Sequence, residues 1–177
     1  LVNLPLDTTP VKIAGDIKQD SMLKADTDLI LDSLYETETS VFRAAGKLEI
    51  AKTAMDIASD LYREGDLYYD SAVLDLEEAE LDYLAAKREL ETKVKNAYND
   101  MANRADSLEL AGKYTELTAR KLESIKIKYE RGTVSLEDYI RAEEALLDAQ
   151  FAELSAIVEY NVARAVFVNI AGETNLP

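Results

Sequence analysis

Cysteine and histidine are both missing from this 177-residue chain. Their absence excludes disulfides, thiolate chemistry, histidine-ligated zinc and histidine general-base catalysis. The three prolines, Pro5, Pro10 and Pro177, lie at the ends and leave Val11 to Leu176 free of the strongest helix breaker. Only six glycines punctuate the sequence, and no alternating apolar run bounded by turn residues marks a strand. No uninterrupted run of 18 apolar residues occurs, so no direct membrane insertion is expected of this stretch. Positive charge is short as well: Lys and Arg number 20 against 35 Asp and Glu, a formal charge of -15. Such a balance disfavours nucleic acid, whose phosphates call for clustered Lys and Arg, and equally an anionic lipid surface.

What the sequence does have is helical periodicity. Hydrophobic residues make up 47% and charged residues 31%, too apolar for a disordered tail and too charged for a bilayer-buried bundle. The spacing predicts an all-α chain. A short helix is expected over Asp26 to Glu36 and a longer one over about 39–64, where Ala44, Leu48, Ala51, Met55, Ala58 and Tyr62 recur at three and four residues. Gly65 is read as its left-handed C-terminal cap and Asp66 as the cap of the next helix.

That next helix is expected to run unbroken over about 67–131, roughly 95 Å at 1.5 Å per residue. Ala72, Leu76, Ala79, Tyr83, Ala86 and Leu90 open a 4-3 rhythm that continues to Tyr129. Four-residue steps at Leu90–Val94 and Met101–Ala105 shift its phase as stutters do. Gly112, inside the helix, reads as a close-packing position. Gly132 ends the helix, and Ser135 with Asp138 forms a capping-box variant opening a helix over about 135–171. The two flanking helices together match the central one in length, and short turns force antiparallel neighbours. The expected architecture is therefore an elongated antiparallel coiled-coil pair of hairpins. It occupies 26–172, with an irregular lead-in over 1–25 and a tail over 173–177.

Two internal repeats accompany this pattern. YREG, Tyr62 to Gly65, matches YERG, Tyr129 to Gly132, and the Ala/Leu helix after Tyr69 echoes the one after Tyr139. LVNLPLDT at the start resembles FVNIAGET at Phe167 to Thr174. Together they suggest the second half of a duplicated protein.

The segment KYERGTVSLEDYIRAEEALLDAQFAELSAIVEYNVARAVFVNIAG resembles the end of a repeat in the outer-membrane efflux proteins of the TolC family. Upstream, AELDYLAAKRELETKVKNAYNDM is similar to the start of that family's long helix, so the resemblance covers roughly 41–172. It implies a trimeric channel-tunnel whose helical barrel crosses the periplasm. Its helix-turn tips meet a periplasmic membrane-fusion adaptor, which links to an inner-membrane pump. By the same resemblance Arg131, Gly132, Thr133 and Val134 would form the adaptor-docking tip, while Tyr129 and Asp138 would line the entrance constriction. The second turn is Tyr62, Gly65 and Asp66.

The departures are specific. Val134 stands where a gating arginine is expected, and Arg141 where a second pore aspartate is expected. The family's two β-strands near Gly65 are replaced by YREGDLYYDSA, so the strands are either naturally absent or removed. On the residues alone, Tyr129, Gly132 and Asp138 read as a capped helical turn, and it is the resemblance that sets a docking tip beside that reading. The acidic clusters read as solvated helix faces. Val73, Leu74, Leu81, Leu84 and Leu110 fall off the main seam and suggest a second apolar stripe for subunit contacts. The expectation is a passive, non-enzymatic export component of the cell envelope, without cofactor or metal, in the periplasmic part of an outer-membrane protein. The alternative is a coiled-coil spacer or scaffold with no conduit.

Overall fold

The computed structural model of the chain describes Leu23 and residues 25–172, so most of the expected lead-in and the whole tail lie outside the described residues. The chain is all-α, with four helices: α1 (Thr27–Thr37), α2 (Thr39–Leu61), α3 (Leu67–Glu130) and α4 (Leu136–Ala171). Asp26 starts α1 by accepting hydrogen bonds from the backbone N–H groups of Asp28 and Leu29. A bend at Glu38, extended at φ -70° and ψ 124°, separates α1 from α2.

α3 is the organising element, 64 residues of uninterrupted helix and about 96 Å long. Gly112 lies within it without breaking it. A Cβ built there would meet only the Glu153 Oε1 at 3.5 Å, an ordinary contact. The close packing expected of Gly112 is thus not a requirement of the fold, because the carboxylate tip beside it can move.

α2 and α4 both pack along α3, and α1 closes over α2 and α3. Arg104 meets Glu159 at 2.6 Å, Gly112 lies beside Glu153, and the Thr115 hydroxyl donates to the Ala149 carbonyl at 3.1 Å. Moving forward along α3 means moving backward along α4, so α4 folds back on it. Lys47 of α2 pairs with Asp82 of α3 at 3.6 Å on the other side of the Gly65 turn.

The buried seam is thin at the ends and thick in the middle. Ala44, Ala51, Ala58, Ala72, Ala79, Ala142 and Ala149 are buried, small side chains that let the helices approach closely. Where α1 covers the join, the core widens to Ile30, Leu31, Val41, Leu90, Val94, Met101, Tyr160 and Phe167. Tyr98 packs its ring edge-on against Phe167 at 5.5 Å, a favoured aromatic geometry. The Leu23 N–H donates to the Tyr160 hydroxyl at 3.2 Å, giving this buried phenol a polar partner.

The internal repeat is visible in the burial pattern. Ala72, Ala79, Leu90 and Met101 of α3 are buried, and so, at one constant shift along the chain, are Ala142, Ala149, Tyr160 and Ala171 of α4. Val41 and Ala51 of α2 correspond to Leu108 and Thr118 of α3 at a shift that is constant between them but three residues shorter. α2 and α4 each join α3 through a short segment that contains a glycine, Gly65 in one and Gly132 in the other.

Candidate functional site

The Gly132 turn is a fully capped helix reversal. Arg131 closes α3 in helical conformation at φ -85° and ψ -1°, and Gly132 follows at φ +71°. Its N–H donates to the Tyr129 carbonyl at 2.8 Å, and the Thr133 N–H donates to the Lys128 carbonyl at 2.9 Å. These two bonds are the Schellman pair, which satisfies carbonyls that the helix end leaves open. The Thr133 hydroxyl adds a third bond to the Lys128 carbonyl at 2.9 Å. Arg131, Gly132 and Thr133 are exposed, whereas Val134 is half-buried.

Ser135 and Asp138 then form the expected capping box. The Asp138 N–H donates to the Ser135 hydroxyl at 3.1 Å, and the Ser135 N–H donates to the Asp138 carboxylate at 3.2 Å. The hydroxyl also donates to that carboxylate at 2.7 Å. The Ser135 hydroxyl and N–H together hold the Asp138 carboxyl below its ordinary range. Tyr129 stacks across the turn on Tyr139 at 5.4 Å, and the Tyr139 hydroxyl donates to Glu143 at 2.5 Å. That bond pushes the Tyr139 phenol above its ordinary value. The structure thus joins Tyr129 to Tyr139, a partner the helical spacing did not identify. The two tyrosines sit on different helices, and only the closure of the turn brings them together.

The Gly65 turn is built differently from expectation. α2 stops at Leu61, because Tyr62 turns extended at φ -126° and ψ 164°. The C-cap is therefore Tyr62, not Gly65, which stands three residues further on at φ +91°. Asp66 occupies the position before α3, yet its side chain makes no cap bond to that helix. It reaches back instead to accept from the Arg63 N–H at 3.0 Å, and the Asp66 N–H donates to the Arg63 carbonyl at 3.0 Å. This local turn outcompetes a last turn of helix, since it satisfies a carboxylate and three backbone groups within four residues. Asp70 takes the Gly65 N–H at 3.3 Å. Tyr62 stacks on Tyr68 at 5.2 Å, so each turn carries a tyrosine pair.

Beside each turn runs an open groove between the paired helices. Near Gly132 a groove of about 360 Å³ is lined by Tyr114, Thr118, Lys121, Asp138 and Arg141 among others. Its repeat equivalent, about 280 Å³, is lined by Lys47, Ala51, Asp75, Glu78 and Asp82 among others. The first presents two cations and one acid; the second presents one cation and three acids. Among the described residues, no cluster of Asp and Glu could hold a metal ion.

The outer sides of the helices are the other candidate surface. Leu67, Leu74 and Leu81 are exposed and fall half a helical turn from the buried Ala72 and Ala79. Leu110 continues that outer side near the far end of α3, and the exposed Tyr114 and Leu117 lie between it and the groove beside Gly132, which they also border. On α4, Ile140, Leu147, Phe151, Leu154, Val158 and Val162 form an exposed stripe opposite the buried Ala149, Tyr160 and Ala163. Of the off-seam residues expected to be outward, Leu74, Leu81, Leu84 and Leu110 are exposed, while Val73 is half-buried. Among the described residues α4 alone is long and apolar enough in composition to cross a membrane. Its apolar side chains divide between the seam and the outer stripe, which accounts for that composition.

No protein-family model, no curated protein and no solved structure matches this chain.

Proposed function

We propose that this chain is a wall segment of a TolC-like helical tunnel, a passive and non-enzymatic export conduit in the periplasmic part of the cell envelope. In this reading the two units are antiparallel coiled-coil hairpins laid end to end, sharing α3. Heptad-spaced burial supports it: Ala44, Ala51 and Ala58 in α2, then Val94, Met101 and Leu108 in α3, recur every seven residues. Full-length assemblies would be trimers, with the Gly132 tip meeting a periplasmic membrane-fusion adaptor coupled to an inner-membrane pump.

The observation that carries the reading is the pair of apolar outer sides. A spacer rod needs polar flanks to stay soluble, whereas a wall segment must bury a flank on each side. Here α3 exposes Leu74 and Leu117 at 65% and 64%, and α4 exposes Phe151 and Leu154 at 60% and 38% on the opposite flank. The Schellman closure and capping box at Gly132 supply a rigid tip of defined shape, suited to docking. Val134 and Arg141 sit where the resemblance would place gating partners, so the proposed tunnel has no gate built on that network.

Electron microscopy of end-on particles tests this directly. Rings with an open centre are expected, their walls one helix thick because the paired helices lie side by side around the ring. Solid rods or pairs of rods would favour the spacer reading.

A further inference from the structure

The groove between α3 and α4 beside Gly132 encloses about 360 Å³, within the size range of small-molecule sites. Two small buried side chains, Thr118 and Ala142, form its floor. The Thr118 hydroxyl donates to the Tyr114 carbonyl at 2.8 Å, so it is already satisfied. Tyr114, Leu117 and Ile125 supply apolar walls, and the exposed Lys121 and Arg141 bring two cations to the opening.

Both cations are open to a further anion. Arg141 pairs with Glu137 at 2.5 Å, with both side chains largely exposed, a contact of little strength that leaves most of the guanidinium donors unused. Lys121 forms no ion pair among the described residues. The residues one turn away from it, Leu117, Thr118, Ser124 and Ile125, include no acid that could pair with it along the helix. Asp138 is the one acid among the described lining residues, and its carboxylate already accepts from the Ser135 hydroxyl and N–H. The neighbouring acids Glu143 and Glu144 line a different groove, with Leu122 and Ile140.

The internal repeat supplies a natural comparison. At the shift that sets Ala51 against Thr118, Lys47, Ile50 and Ala54 stand against Tyr114, Leu117 and Lys121. All of them line the equivalent groove of about 280 Å³ between α2 and α3. Ala54 thus replaces Lys121, and on the facing helix Asp75 replaces Ala145. The one cation left there, Lys47, is held by Asp82 at 3.6 Å. The two grooves share a build and differ in charge.

We infer that the groove beside Gly132 binds a small amphipathic anion, an aromatic carboxylate. Its ring packs on Tyr114 and Leu117, and its carboxylate sits between Lys121 and the planar fork of Arg141. The α2–α3 groove, with three acids, rejects the same molecule. The inference uses a single chain and does not rest on the wall-segment reading.

Titrating naphthoate into the full chain, followed by amide shifts in NMR, gives the affinity and the place of binding together. One site per chain is expected, with a Kd of about 1 mM or tighter, the range that ligand efficiency allows a molecule of this size. Shifts should centre on Thr118, Lys121 and Ala142 and spare Ala51 and Ala54. Naphthylmethylammonium, of similar shape and opposite charge, should bind about tenfold more weakly or less. Lys121→Ala copies the other groove and should weaken naphthoate about fivefold or more. Lys113→Ala removes the same charge from α3 outside the groove and should leave the Kd within about twofold. Both variants place the best helix former at an exposed position, and circular dichroism verifies their helicity. Equal affinity for the ammonium, an equal loss in Lys113→Ala, or shifts centred on Ala51 and Ala54 would each overturn the inference. Absence of saturable binding would overturn it as well and leave the groove to a helix of a protein partner. A Kd that weakens as the chain is concentrated would assign the groove to a second copy instead.

Discussion

Gly132 sits at φ +71° with nothing within 4 Å of the position a Cβ would take, so backbone conformation alone demands glycine there. Gly132→Ala should therefore destabilise the chain by about 1 kcal/mol through the left-handed penalty. Gly46, with open space around it, and Gly112, in ordinary helical conformation, should show the reverse. Replacing either with Ala should stabilise by about 0.5–1 kcal/mol, read as a shift in the urea midpoint at unchanged slope. Ser135→Ala removes an N-cap and should cost about 1 kcal/mol. The capping box also gives the tip a pH dependence. Asp138 is depressed by the Ser135 hydroxyl and N–H, so its contribution is complete above the ordinary Asp pKa of about 4 and is lost as pH falls through the lower folded value. Amide exchange at Asp138 and Tyr139, followed as the pH is lowered, should show the tip opening before the core. The opposite order would contradict the capping account. Ser135 and Asp138 were legible because their spacing names a backbone geometry. The tyrosine pairs were not, since a stacked contact across a turn has no period.

At the scale of elements, the seam is where sequence and structure agree best. The Ala and Leu positions chosen by three-and-four spacing are buried or half-buried, save Tyr62 and Tyr129, which lie at the ends of their helices and turn outward to stack. Helix ends were less legible. α2 stops three residues before the expected boundary because the Arg63–Asp66 turn competes for the last backbone groups. The periodicity says nothing of such a local competition. Nor did it reveal that the apolar residues of α4 divide between a buried and an exposed side. The thick centre of the seam should dominate stability: Phe167, fully buried against Tyr98, should cost about 3–5 kcal/mol on replacement by Ala. Ala149→Leu should cost about 1–3 kcal/mol, because the helices are close at that position. Leu117→Ala, on the outer flank, should leave the unfolding of the single chain almost unchanged. Thermal unfolding of the three variants at low protein concentration checks this ranking.

At the scale of the whole molecule, α3 packs against both α2 and α4, and apolar residues remain exposed on the outer sides of the helices. A chain of formal charge -15 stays dispersed at low salt through self-repulsion, so screening should favour association as ionic strength rises. Leu117→Glu places a charge on an apolar flank that the wall reading buries and should raise the concentration needed for assembly about tenfold or more, with little change in the helicity of the single chain. The decisive measurement is solution mass and shape together, by light scattering and small-angle scattering over a wide concentration range at moderate salt. The account predicts a concentration-dependent passage from a rod roughly 95 Å long to a closed species of three or more copies, of unchanged length and with a hollow cross-section. A rod that stays monomeric at every concentration, or a particle that lengthens as it grows, would contradict it.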